Sequence, residues 1–156
     1  MISDIFSGRG VTSTRPTSDD MHGVDATIAA LEGRPNGLIF TNLVGFDALY
    51  GHRRDPVGYS NLLAAFDARL PELRAALGDD AILILTSDHG TDPTHEGTDH
   101  TREHALLLVT GAGVIPRAIP TRNTFADLGA TIAELQRVPW DGDGTSFARE
   151  LVTRPR

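Results

Sequence analysis

The chain contains no cysteine. Disulfides and thiolate zinc sites are therefore excluded, and any metal must be held by histidine and carboxylate side chains. The absence fits a reducing cytosol without requiring one. Net positive charge is missing too: 14 Lys and Arg stand against 21 Asp and Glu, for a formal charge of -7. Nucleic-acid binding generally needs a basic surface, so that class is set aside. No apolar run approaches the ~20 residues that span a bilayer. The start, Met1-Ile2-Ser3-Asp4-Ile5-Phe6, has neither the basic nor the apolar region of a secretory signal. A cytoplasmic protein without nucleic-acid or membrane partners is the expectation. Internal repeats and low-complexity tracts are also absent.

What is present is ordinary globular material. The 156 residues are 40% hydrophobic and 22% charged, enough for one domain with a real core. Residues 7–18, rich in Gly, Ser, Thr and Arg, read as a loop. Asp19 or Asp20 caps a helix to about Leu31, with Val24, Ile28 and Leu31 as its apolar stripe. An apolar run over 37–44 reads as a strand. A helix from about Tyr59 to Leu77 carries Leu62, Leu63, Phe66, Leu70, Leu73 and Leu77 on one face, which predicts core. Pro71 inside it predicts a kink or a split, and Gly78 a stop. Strands follow over 81–86 and 105–109, then a helix capped at Thr121, Asn123 or Thr124 and running to about Gln136. A short helical candidate lies near 146–152. Alternating strands and helices indicate an α/β fold with a mainly parallel sheet flanked by helices. The few visible strands suggest that part of the sheet lies elsewhere.

The richest stretch is Thr86-Ser87-Asp88-His89-Gly90, an Asp-His pair at the end of an apolar strand. Eleven residues on comes His100. The 37–44 strand delivers Asp47, with His52 five residues later. Ligands of open α/β sheets bind at the carboxyl ends of strands, where these residues sit. An Asp-His pair after a strand is by itself often only a turn, and Asp47 with His52 is weaker still.

The segments Ile5–Thr12, Phe40–Val44, Asp47–Asp55, Ser87–Gly90, Asp92–Thr94, Gly97–Glu103 and Thr124–Ile132 together resemble the phosphopentomutases, members of the alkaline-phosphatase-like metalloenzyme superfamily. The resemblance implies a metal-dependent isomerase that interconverts (deoxy)ribose 1-phosphate and 5-phosphate. It implies two divalent ions, usually manganese, with Asp47, His52 and His100 on one and Asp88 and His89 on the other. The family's nucleophilic threonine and a further aspartate come from upstream segments, as does its cap domain. The chain is thus expected to be the C-terminal part of the metalloenzyme core, a single domain over 1–156, with no catalytic residue of its own identified. Gly45 stands where the family usually has an aspartate, and His95-Glu96 where it usually has Trp-Pro.

Beside the resemblance, mixed carboxylate and imidazole donors suit manganese, zinc or iron better than magnesium or calcium. Arg53, Arg54 and Arg102 are candidates for a phosphate group. The alternative reading of Arg53 and Arg54 is a salt bridge with Asp55 or helix carboxylates. Each metal-bound imidazole needs its second nitrogen oriented by a carbonyl or carboxylate, and Asp99 or Glu103 is a candidate. His22 is expected on a helix surface, His104 in a structural position and His95 in solvent. Two other readings stand: an inactive metal- and phosphate-binding module that needs the N-terminal segment, or a related phosphatase or phosphoglycerate mutase. A sheet cut at its edge predicts self-association.

Overall fold

A computed structural model describes residues 2–152, which fall into two compact units. The first comprises the chain up to Leu77 together with His89–Ala105; the second comprises Gly78–Asp88 and the chain from Leu106 onward. No helix among the described residues is long and apolar enough to cross a membrane.

In the first unit a short helix α1 (Ile2–Ile5) precedes the expected loop. Helix α2 (Asp20–Glu32) starts where the capping signal lies: the Asp19 carboxylate accepts from the His22 backbone N–H at 2.9 Å. That bond holds the Asp19 carboxyl below the usual aspartate range. Val24 is buried beneath α2. Helix α3 (Pro56–Leu77) packs against α2, and Arg69 of α3 reaches Asp25 of α2 at 2.6 Å.

Three expectations for this unit need correction. The split expected at Pro71 does not occur, since α3 is continuous from Pro56 to Leu77. The proline sits on an exposed face, so its ring meets solvent, and burial of Leu73 and Leu77 beyond it offsets the lost backbone bond. Leu63 is 52% exposed rather than core. The apolar stretch 37–44 forms no strand: residues 38–43 have no ladder partner among the described residues, and Leu38 and Phe40 are 62% and 55% exposed. An apolar run becomes a strand only when a neighbour takes up its backbone groups.

The second unit holds the one sheet among the described residues. Strands β1 (Ile82–Thr86) and β2 (Leu107–Gly111) pair antiparallel, Ile84 opposite Val109. A mainly parallel sheet is therefore not what the described residues form. The physical reason lies in the connection: a parallel return needs a crossover, usually a helix, whereas residues 87–106 hold no helix. Helix α4 (Ala126–Gln136) begins after Thr124, whose Oγ1 accepts from the Ala126 N–H at 3.2 Å. Helix α5 (Ala148–Leu151) ends the described chain. Phe147, Leu151 and Val152 form the core, packed against Ile82, Leu107, Val109, Val114, Ile119, Leu128 and Leu135.

Candidate metal centre

Asp47 sits in a tight turn of unusual pitch. The Val44 carbonyl accepts from Asp47 and Ala48 N–H, and the chain then winds as a π-helical turn over Phe46–Gly51. It closes where the His52 N–H donates to the Asp47 carbonyl at 2.9 Å. Such widened turns recur at functional sites because they re-aim side chains. The turn is held at its start by a side chain from α2: Asp20, buried, accepts the Gly45 N–H at 3.0 Å. A Cβ on Gly45 would lie 2.2 Å from Asp20 Oδ2. The glycine at the position where the resemblance implies an aspartate is thus matched by a carboxylate reaching in from residue 20.

Three imidazoles surround the Asp47 carboxylate. His52 Nε2 lies 3.3 Å from Oδ2, His100 Nε2 3.4 Å from Oδ1, and His89 Nε2 4.0 Å from Oδ1. His52 and His100 bring their Nε2 atoms to 3.2 Å of each other. The His89 and His100 rings stack with centroids 3.5 Å apart and 16° between their planes. The far nitrogens of two rings are committed to backbone. His52 Nδ1 faces the Thr98 carbonyl, and His89 Nδ1 faces the Gly90 carbonyl at 3.0 Å, with Thr91 Oγ1 at 3.3 Å. A carbonyl can only accept, so Nδ1 is the donor in both rings and each Nε2 is the atom turned toward Asp47.

This donor set fits a cation. Asp47 Oδ1 is buried and has no hydrogen-bond donor among the described residues; the 3.4 Å approach of His100 is an ion-pair distance without hydrogen-bond alignment. Donor atoms of Asp47, His89 and His100 all lie within 4.8 Å of one another. Ligands at about 2.1 Å from a shared ion stand roughly 3 to 4 Å apart, so only small movements separate these atoms from a coordination shell. The orienting carbonyls are the outer support that metal-bound histidines require. Backbone supplies it, where the sequence suggested Asp99 or Glu103.

The other expected site residues distribute as follows. Asp88, exposed, belongs to the second unit, although it directly precedes His89 in the chain. Arg53 and Arg102 are exposed. Arg54 donates to the carbonyls of Gly97, Asp92 and Asp99, leaving two of its five N–H groups for other acceptors. Asp55 accepts from the Gly58 N–H at 2.8 Å and so caps α3. His95, Glu96 and His104 are exposed. His22 lies on the α2 surface with Nδ1 3.1 Å from the Ser18 backbone nitrogen. Sequence reasoning overlooked Tyr59, whose hydroxyl is pushed above the usual tyrosine range by burial and by the Asp47 charge, and whose ring meets Phe46 edge-on at 5.4 Å. Its place three residues into α3 offered no signal. The carbonyls of Thr98 and Gly90 carry none either.

Comparison with known proteins adds to this geometry. The model of the Metalloenzyme superfamily matches residues 2–139. The chain is 55% identical over 150 residues to a phosphopentomutase of Deinococcus radiodurans. It is 46% identical over 152 residues to a phosphopentomutase of Alkaliphilus oremlandii and 47% identical over 152 to one of Alkaliphilus metalliredigens. These alignments cover 96 to 97% of the chain and 39% of each relative, so the chain spans well under half their length.

Proposed function

Because the chain belongs to the metalloenzyme superfamily, we propose that it carries the metal-binding C-terminal portion of a phosphopentomutase, acting on (deoxy)ribose 1-phosphate and 5-phosphate in the cytoplasm. The observation that supports this most directly is the convergence of Asp47, His89 and His100 around a buried, donorless carboxylate oxygen. In this reading Asp47, His52 and His100 hold one divalent ion, and His89 with Asp88 serves a second; manganese suits their carboxylate and imidazole donors. When bound, such ions supply positive charge that stabilises the oxygens of a transferring phosphoryl group.

The chain's own residues do the rest of the local work. The carbonyls of Thr98 and Gly90 accept from Nδ1 of His52 and His89 and turn each Nε2 toward Asp47. Arg53 and Arg102, exposed and always charged, are suited to gripping the sugar phosphate. The nucleophilic threonine and the remaining aspartate that the resemblance implies lie outside these 156 residues. The exposed apolar stretch at Leu38 and Phe40 suits a strand of the parent's mainly parallel sheet, completed by segments the chain does not include. The 156 residues then act as a metal- and phosphate-binding module of one larger core, and without that partner they self-associate through this stretch.

The test is phosphate migration between ribose positions in the presence of manganese. The chain would be assayed alone and mixed with the N-terminal remainder of the Deinococcus radiodurans relative. Turnover only in the mixture, abolished by Asp47→Ala, is expected. Turnover by the mixture that survives Asp47→Ala and His100→Ala would sink the reading.

A further inference from the structure

The loop that carries His100 has no regular structure of its own. Residues 93–99 form turns and bends, and Thr94–His100 are exposed. A ligand on such a segment needs something to hold it within a fraction of an ångström. Part of the support is internal: the Asp92 N–H donates to Thr101 Oγ1 at 2.7 Å, and Thr94 caps the Asp92 carboxylate through N–H and Oγ1 at 2.8 and 2.7 Å. Those bonds shape the loop but do not tie it to Asp47.

The tie comes from one side chain. Arg54 Nε donates to the Gly97 carbonyl, Nη1 to the Asp92 carbonyl at 2.9 Å, and Nη2 to the Asp99 carbonyl. One planar guanidinium thus bridges both ends of the exposed stretch, and its last contact is with the residue immediately before His100. Arg54 stands two residues after His52, which itself donates to the Thr98 carbonyl of the same loop. Its backbone is left-handed, φ 53°, a conformation an arginine adopts at a cost of roughly 1 kcal/mol. Lysine could not replace it, because a single ammonium lacks the guanidinium's spread of donors on three nitrogens.

We infer that Arg54 is a positioning residue of the metal centre: its guanidinium clamps the 92–99 loop and so sets His100 against His52 and Asp47. The inference rests on reading the cluster as a metal centre, and it moves Arg54 from gripping phosphate to building the site.

Two measurements on the 156-residue chain test it. Amide hydrogen exchange of the metal-free chain reads the clamp with no metal involved. Arg54→Lys and Arg54→Ala should speed exchange at Asp92, Thr94, His95 and Thr101 by about tenfold or more, and leave α2 and α3 protected. Titration with Co2+ reads its consequence. Both variants should lose about 10- to 100-fold in affinity, and their visible spectra should change as that of His100→Ala does. Adding His100→Ala to Arg54→Ala should cost little more, and millimolar guanidinium should restore part of the loss in Arg54→Ala. Unchanged exchange in both variants would overturn the clamp. Unchanged Co2+ affinity with weakened binding of inorganic phosphate would return Arg54 to a substrate role. If the wild-type chain takes up no Co2+, the metal reading fails, while faster loop exchange in the variants still upholds the clamp.

Discussion

Asp47 in the first unit and Asp127 in the second are carboxylates built in opposite ways. In the second unit Asp127, 5% exposed, accepts from the Thr145 N–H at 2.8 Å on one oxygen and from Arg122 Nε at 2.9 Å on the other. Its backbone carbonyl accepts from Thr131 Oγ1, which in turn accepts the Phe147 N–H. Every group has a counterpart, and the network pins α4 to the start of α5. In the first unit Asp47 Oδ1 is buried without a hydrogen bond and faces the Nε2 atoms of His89 and His100. A satisfied buried carboxylate is a structural part; one with an unpartnered oxygen among imidazoles is built to receive something from outside the chain.

The comparison breaks most visibly in stability. Phe147 is 1% exposed and central to the second unit's core. Phe147→Ala should cost about 3 to 5 kcal/mol in urea unfolding, the usual toll of emptying a core aromatic site. Asp47→Asn should cost nothing measurable in the metal-free chain, since Oδ1 has no hydrogen bond to lose. If Asp47→Asn destabilised the metal-free chain as Phe147→Ala does, the contrast between the units would be lost.

The next effect lies in binding. Asp47→Asn should weaken Co2+ or Mn2+ binding by about 100-fold or more, beyond the 10- to 100-fold typical of outer supporting groups. Asp127→Asn should leave metal affinity within about twofold, because independent sites act additively. Isothermal titration of both variants checks the pair together. Comparable losses in both would mean that the metal binds elsewhere or that the whole fold carries the affinity.

A third test sharpens the link between Asp20 and Gly45. Gly45→Asp places a side chain 2.2 Å from Asp20 Oδ2 at its first atom. Overpacking of this kind costs about 1 to 3 kcal/mol, with like charge adding to it. The same change made together with Asp20→Gly should recover most of the loss, since the incoming carboxylate then has room. Thermal melts of the single and double variants measure the coupling. A fully tolerated Gly45→Asp would show that Asp20 does not occupy that space.

How much of this was legible depended on where the information sits in the chain. Helices α2, α3 and α4 declared themselves through periodic apolar residues and side-chain caps, which are local. Strands β1 and β2 were visible as apolar runs, but their antiparallel pairing was not, because partner choice depends on the path of the intervening loop. The 37–44 stretch reads as a strand on composition, yet strand formation is a property of two segments and needs a neighbour. At the site, Asp47, His52, His89 and His100 stood out by residue type, and their mutual distances are those of one cluster. The groups that orient them did not: a carbonyl such as that of Thr98 has no sequence signature. Arg54 looked like an anion binder because its charge is legible and its partners are not. Asp20 and Gly45, far apart in sequence, became a pair only through the bond from the Gly45 N–H to the Asp20 carboxylate.

The smallest expected effect concerns acid. Donation by the Thr145 N–H, with Arg122 adding to it, holds the Asp127 carboxyl below the usual aspartate range. A folded-state value below the unfolded one means the carboxylate form is favoured by folding. Its contribution is therefore complete above the ordinary aspartate value of 3.8 and is lost as pH falls through the lowered folded value. Asp92 behaves alike through its bonds from Thr94, so acid should loosen both units rather than one. Asp127→Asn keeps an acceptor for the Thr145 N–H but cannot titrate. Its melting temperature should accordingly fall less than wild type between pH 7 and pH 3, while Asp92→Asn should flatten the remaining slope. If Asp127→Asn left the acid slope unchanged, the bonds seen around that carboxylate would not favour its charged form. The second unit would then owe its order to Phe147 and its apolar neighbours alone.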